Sequence, residues 1–481
     1  MPNNSLATRA AVAVALMVGF YALALGIAGG LLYMVYLDLT EWGPHVRLVL
    51  FGGCIAGMIL WAIFPRPIRY EPTGVRVTAD DQPELFALLE NVADDVQQAM
   101  PVEVYVTRDV NASVLQVGGM LGYGSRRVME LGLPLMQALT KSQFRAVVAH
   151  EFGHYDGGDT SLAPMVYRTR EAIERTVNTL ADDDGVLHKP FYWYGKFYLR
   201  VTQAISRAQE LAADRLAARV AGAKNAHDAL VNVERAALAY EPYWQSEVMP
   251  LLASGFYPPF MDGFQRFAGV QNIDEQVNTI VEKSLREVEK HEYDSHPPLR
   301  ERLDSLSELP AGEWDASESR AVSLLRELPK LEESLLRALF VPSFAATIKP
   351  VSWEEAGTSV YLPEWRSRAT RHAQALREVT PVVLPDVAKK LVDFSSRLQL
   401  TEDDGEQTAA ASLVVGSALA VRLHDLGWMC DAMPGKPIAF TRDGRTIEPF
   451  GVMPKLRAGE LAPSEWDSTC REAGIADVAL G

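Results

Sequence analysis

The sequence predicts a mostly helical α+β protein in three parts: a two-helix N-terminal membrane hairpin, a domain with a small sheet and a histidine-bearing helix, and a helical C-terminal region. Three observations carry that reading. Two uncharged apolar runs open the chain, over about 10–37 and 48–64. Strand-like alternation is confined to short stretches, chiefly between residues 102 and 131, and most of the rest has helical periodicity. Pro310-Ala311-Gly312 then interrupts the pattern, so the expected parts are 1–70, 71–309 and 310–481.

The first apolar run, Ala10 to Leu37, is long enough to cross a hydrocarbon core of about 30 Å. The second, Leu48 to Phe64, ends at Pro65-Arg66-Pro67. A cleaved signal peptide is disfavoured, because the first run exceeds the usual ~7–15 apolar residues and a second span follows at once. Arg9 precedes the first span and Arg66, Arg69 and Arg76 follow the second, whereas the connecting loop carries Asp38 and Glu41 beside Arg47. Positive residues favour the cytoplasmic side, so the expectation is a multi-pass protein of the inner cell membrane with its main domain in the cytoplasm. Gly26 and Gly30, like Gly53 and Gly57, have the spacing of a helix-packing seam or are glycines that any membrane helix tolerates.

Apolar residues make up 48% of the 481 and charged ones 22%, a globular balance with room for more than one domain. Asp and Glu outnumber Lys and Arg by 62 to 46, for a net charge of −16. That excludes nucleic acid as an expected partner, since phosphate binding needs a basic face. The three cysteines, Cys54, Cys430 and Cys470, form neither a disulfide framework nor a thiolate cluster.

Periodicity places helices over 83–100, 142–155, 163–180, 198–220, 276–290 and 321–339, and strands over 102–106, 112–117 and 127–131. A hairpin is expected over 437–449, turning at Asp443-Gly444. Residues 155–209 carry too many charges, among them Arg168, Arg170, Glu171, Glu174 and Arg175, to form a span.

The chemical signal is His150-Glu151-Phe152-Gly153-His154. On a helix, residues four apart share a face, so both imidazoles can bind one Zn²⁺ while Glu151 addresses a water. A catalytic zinc needs a third protein ligand and an open position. Glu210 is the best candidate, in a second and mostly apolar helix. Asp214, one turn further on, can accept a hydrogen bond from the far nitrogen of a ligating histidine.

These residues carry a resemblance. His150-Glu151-Phe152-Gly153-His154, then Gln209 to Asp214, then His296-Pro297-Pro298-Leu299-Arg300-Glu301-Arg302 resemble, in that order, motifs of the M48 (HtpX/Ste24-like) zinc peptidases. Asn111-Ala112 also resembles the family's stretch before its zinc helix. Over about 75–305 the resemblance implies a zincin-type domain with one Zn²⁺ per chain. It implies His150, His154 and Glu210 as ligands, Glu151 as catalytic base and Asp214 behind them. The implied activity is a membrane-anchored endopeptidase of protein quality control. The two spans here contrast with the further spans of HtpX-like members and the transmembrane chamber of Ste24-like ones.

Three expectations remain open at this stage. The strand from Asn111, with Asn111, Ala112 and Ser113, is either an edge that pairs with an extended, unfolded or membrane-associated polypeptide, or an internal strand. His296 and Arg302 either face the cleft, as groups acting on the reaction, or merely start a helix and pair with a surface acid. The rival to a peptidase is a membrane-tethered scaffold or chaperone whose metal site is structural or inactive.

Overall fold

The protein is described by a computed structural model, which covers residues 3–42, 45–64, 71–117, 126–154, 163–180, 188–286, 297–313, 318–398 and 404–481. It is mostly helical with small sheets, and it opens with two apolar helices, α1 (Asn3–Leu37) and α2 (Val46–Ile63). Both are long and apolar enough to cross a membrane, and no other helix among the described residues is. At 1.5 Å per residue α2 measures about 27 Å, near the thickness of a hydrocarbon core.

The chain forms two compact units that do not follow its order: 1–235 with 279–326, and 236–278 with 327–481. The interruption at 308–314 does not separate them, because Ala223 N and Lys224 N donate to Pro310 O and Ala311 O within the first unit.

In the first unit, β1 (Val75–Val77), α3 (Pro83–Asp95), β2 (Glu103–Thr107), β3 (Ala112–Val117) and β4 (Arg126–Gly132) are followed by α4 (Leu133–Ala138) and α5 (Lys141–Gly153). The sheet order is β1-β2-β4-β3, with β2 and β4 parallel and the outer pairs antiparallel. Among the described residues β3 therefore ends the sheet, and α5 packs against it. Then come α6 (Ala163–Leu180) and α7 (Lys189–Ala221). α7 starts well before the expected residue 198, because Phe191 and Tyr198 bury against Phe20 and Ala24 of α1, Ile59 of α2 and Ile173 of α6. Periodicity within 189–197 is masked by aromatic residues on every face.

α8 (Ala223–Tyr243) and, after α9 (Met249–Ala253), β5 (Phe256–Tyr257) and α10 (Phe260–Ala268), the helix α11 (Gln271–Arg286) each run from one unit into the other. α12 (Leu299–Ser307) returns to the first unit and packs on α7. The helix expected over 321–339 is instead a 3-10 turn, Ala321–Leu324, and a separate α13 (Leu328–Arg337). Pro329 has no N–H and its ring collides with a helix arriving from Leu325, so the chain turns at Glu327, with φ 50°.

The second unit packs around the helix Asp404–Asp425, whose Val415, Ala418 and Leu419 are buried with Trp365, Phe394, Phe440 and Met453. β6 (Lys349–Pro350) pairs with β5, and β7 (Met429–Asp431), β8 (Ala439–Arg442) and β9 (Arg445–Ile447) form a meander. Its last turn is the expected hairpin, with Asp443 at φ 50° and Gly444 at φ 76°, the left-handed pair that a two-residue turn requires.

Candidate metal centre

The start of α5 fixes where its histidines fall. Thr140 caps it: its Oγ1 accepts from Gln143 N at 3.3 Å, and Gln143 Oε1 accepts from Thr140 N at 3.1 Å. Ser142 N donates to Glu318 at 3.0 Å, and Asn232 donates to Gln143 at 3.2 Å, so α8 and the segment before the 3-10 turn hold the same helix end. Phe144, Val148, Ala149 and Phe152 are buried, which locks the rotation of α5 and turns His150 and the helix-closing His154 toward α7.

The two helices come together at Gly153. A Cβ there would lie 3.0 Å from Ala213 Cα and 3.1 Å from Ala213 Cβ. Glycine in the middle of the motif and alanine in α7 thus let the backbones approach closely enough for a short carboxylate to reach the imidazoles.

At that crossing Glu210 Oε2 is 3.6 Å from His150 Nε2, and Glu210 Oε1 is 3.6 Å from His154 Nε2. All three donor atoms lie within 4.8 Å of one another. A tetrahedral zinc with bonds of about 2.0–2.1 Å holds its ligand atoms roughly 3.4 Å apart, so two imidazoles and a carboxylate at these separations fit that ion. Glu210 is buried, whereas His154 has 31% of its side chain exposed, which leaves one side of the cluster open.

Behind the donors Asp214 Oδ1 is 3.0 Å from His150 Nδ1. Arg302 grips the same carboxylate with both arms, Nε to Oδ2 at 2.8 Å and Nη2 to Oδ1 at 2.6 Å, and its Nη2 lies 3.7 Å from Glu210 Oε2. Burial would lift the Asp214 carboxyl, but the guanidinium and the imidazole outweigh it and hold it below the usual carboxylate range. His150 shows the converse. Burial opposes its charge, yet the carboxylates of Asp214 and Glu210 and the nearby Glu151 push it up to about 9. The pocket thus has an excess of negative charge that attracts a cation as readily as a proton.

Of the other residues singled out in the sequence, Asn111 precedes β3, with its carbonyl accepting from Gly132 N at 2.7 Å. Ala112 is buried, and Ser113 Oγ donates to Glu130 at 3.5 Å. His296 lies outside the described residues. Arg302 sits in the first turn of α12 and is mostly buried, so its partner is not a surface acid but Asp214. The sequence reading passed over Gly153 and Ala213, although a glycine inside an otherwise regular helix is itself the signal of a close approach. Glu318 and Asn232 carried no readable signal, because they meet Ser142 and Gln143 across 176 and 89 residues of chain.

Residues 79–310 match the family model described as Peptidase family M48. Over 249 residues the chain is 26% identical to Protease HtpX of Erwinia tasmaniensis, covering 46% of this chain and 71% of that protein. It also aligns with the crystal structure of S. mikatae Ste24p at 15% identity, covering 61% of this chain and 67% of that one. The TM-score of 0.25 is too low for that superposition to bear on the fold. The matched stretch, just under half of the chain, is similar to peptidase family M48 and holds all three donors and both Asp214 and Arg302.

Proposed function

We propose that the protein is a membrane-anchored zinc endopeptidase. The observation that carries the reading is the donor set itself: two Nε2 atoms and one carboxylate, from two helices, within 4.8 Å and open on one side. His150, His154 and Glu210 would hold the metal, and zinc bound there would supply Lewis-acid activation of a water and of a scissile carbonyl.

The chain's own residues do the rest. Glu151, placed between the ligands in the sequence, takes the water's proton and delivers it to the leaving amine. Asp214 fixes His150 with Nε2 toward the metal, and Arg302 keeps Asp214 ionised and in place. Strand β3, which ends the sheet among the described residues and lies beside α5, is where an extended substrate would add as a further strand, at Asn111, Ala112 and Ser113. Only an unfolded or locally unpaired segment can do so, which points to damaged or misassembled proteins as substrates. α1 and α2 anchor the site at the bilayer, and the arginine bias places it on the cytoplasmic side of the inner membrane.

Metal analysis of the purified protein, with casein cleavage measured before and after chelation and after zinc is restored, tests this. One zinc per chain and chelator-sensitive cleavage are expected. Bound zinc without any cleavage points instead to a tethered scaffold with a structural metal.

A further inference from the structure

The first turns of α7 are more exposed and more aromatic than a soluble helix needs. Tyr192, Trp193 and Phe197 are 42%, 66% and 53% exposed, while Phe191 and Tyr198 are buried on the opposite side. Trp193, Lys196, Phe197 and Arg200 have the spacing of one helical face. Lys196 Nζ lies over two of the rings, 4.6 Å from Tyr192 and 5.3 Å from Trp193. From Lys189 to Gln209 the chain carries four cations, Lys189, Lys196, Arg200 and Arg207, and no acid, although the protein's net charge is −16. Contiguous exposed apolar surface with a single sign of charge marks an interaction surface.

Its place along the hairpin says what covers it. A Cβ on Gly52 of α2 would meet Val35 of α1 at 3.1 Å, so these two residues are level. Moving along α1 from Val35 toward its start, Phe20 is about 22 Å away, whereas α2 ends about 17 Å from Gly52. Phe191 contacts Phe20 edge-to-face at 6.4 Å, and Tyr194 donates to the carbonyl of Leu16. Arg175 of α6 donates to Ala62 O in the last turn of α2 at 3.2 Å. The aromatic turns therefore lie just past the end of the shorter apolar helix. Trp61 and Phe64, 67% and 62% exposed, occur at that same end.

We infer that the exposed face of α7 from Lys189 to Arg200 is a lipid-headgroup anchor, set at the depth of the membrane interface against anionic lipid. Aromatic rings with one apolar and one polar end collect at that depth, and each cation near an anionic surface adds to the attraction. α7 also carries Glu210 and Asp214, so the anchor sets the height and tilt of the metal centre above the bilayer. This inference rests on reading α1 and α2 as membrane spans.

The test uses the full chain in vesicles of phosphatidylcholine, with and without phosphatidylglycerol, and an environment-sensitive fluorophore at one cysteine at a time. Cys430→Ser and Cys470→Ala leave native Cys54, exposed and mid-way along α2, as the probe for the hairpin. Adding Cys54→Ser, the label is moved to Trp193→Cys, to Phe197→Cys as a second site on the face, and to Arg286→Cys as a solvent-facing control, its side chain being 78% exposed. Nitroxides are carried on the lipid headgroup or at mid-chain. Positions 193 and 197 are expected to lose more emission to the headgroup nitroxide than to the mid-chain one, and more in vesicles with phosphatidylglycerol. Position 54 should show the reverse depth order, and position 286 no loss. Loss at 54 with none at 193 and 197 overturns the anchor and leaves the spans standing, as does deeper quenching at 193 than at 54. Equal losses in the two lipid compositions overturn the anionic preference. No loss at position 54 overturns the membrane reading itself.

Discussion

Two carboxylates one helical turn apart in α7 meet different surroundings, and that difference assigns their work. Glu210 faces both Nε2 atoms, while Asp214 faces the back of His150 and the fork of Arg302. Glu210→Ala should abolish stoichiometric zinc, read by metal analysis. Asp214→Ala should keep binding but weaken affinity or activity by roughly 10–100-fold. The reverse order would mean that the ligand is wrongly assigned. Glu151→Gln should retain zinc and lose about 10²–10⁴-fold in kcat, since it removes proton transfer and leaves the donors alone; turnover near that of the unaltered protein would refute the mechanism. Asp214 was readable as a histidine's partner from its spacing. Its grip by Arg302 was not, because 88 residues separate them and only the packing of α12 on α7 brings them together.

At the scale of elements, the site depends on how closely α5 and α7 cross. Gly153→Ala would place a methyl carbon about 3 Å from Ala213, so the helices must part by a few tenths of an ångström, at a cost of roughly 1–3 kcal/mol. Glu210 would then stand off from the histidines. We expect a lower melting temperature and roughly tenfold weaker zinc binding in chelator competition, with partial recovery on adding Ala213→Gly. Unchanged affinity would show that the crossing has slack. The helix α5 was legible because its buried face and histidine spacing are local. The split of 321–339 was missed because the periodicity was followed through Pro329, which ends any helix arriving from upstream.

For the whole molecule, a buried carboxylate far along the chain ties stability to pH. Glu332 accepts from Met261 N at 2.7 Å at the start of α10, where Pro259 provides no side-chain cap, and burial pushes its pKa up to about 7. Between about pH 4.5 and 7 the folded unit holds a proton that the unfolded chain has released, so its stability falls as pH rises through this window and levels off above it. The effect is on the order of 3 kcal/mol. Glu332→Gln keeps the acceptor and removes the charge. It should raise the melting temperature at pH 8 and not at pH 4.5; an equal gain at both pH values would argue against a titrating Glu332. Topology is tested separately. A cysteine at the exposed Thr40 should react with an impermeant maleimide added outside intact cells, and reaction only after lysis would invert the protein.

The apolar helices, the α5 motif and the Asp443-Gly444 turn were legible in the sequence alone, because each rests on residues within a few turns of one another, whereas the meeting of Glu210 with the two histidines joins distant helices. Tertiary structure decided that β3 ends the sheet among the described residues, that α7 begins at Lys189, that Arg302 locks Asp214, and that 236–278 joins the C-terminal unit rather than the one with the candidate metal centre. These are contacts between segments tens to hundreds of residues apart, and a side chain's own pattern does not encode which distant surface will bury it.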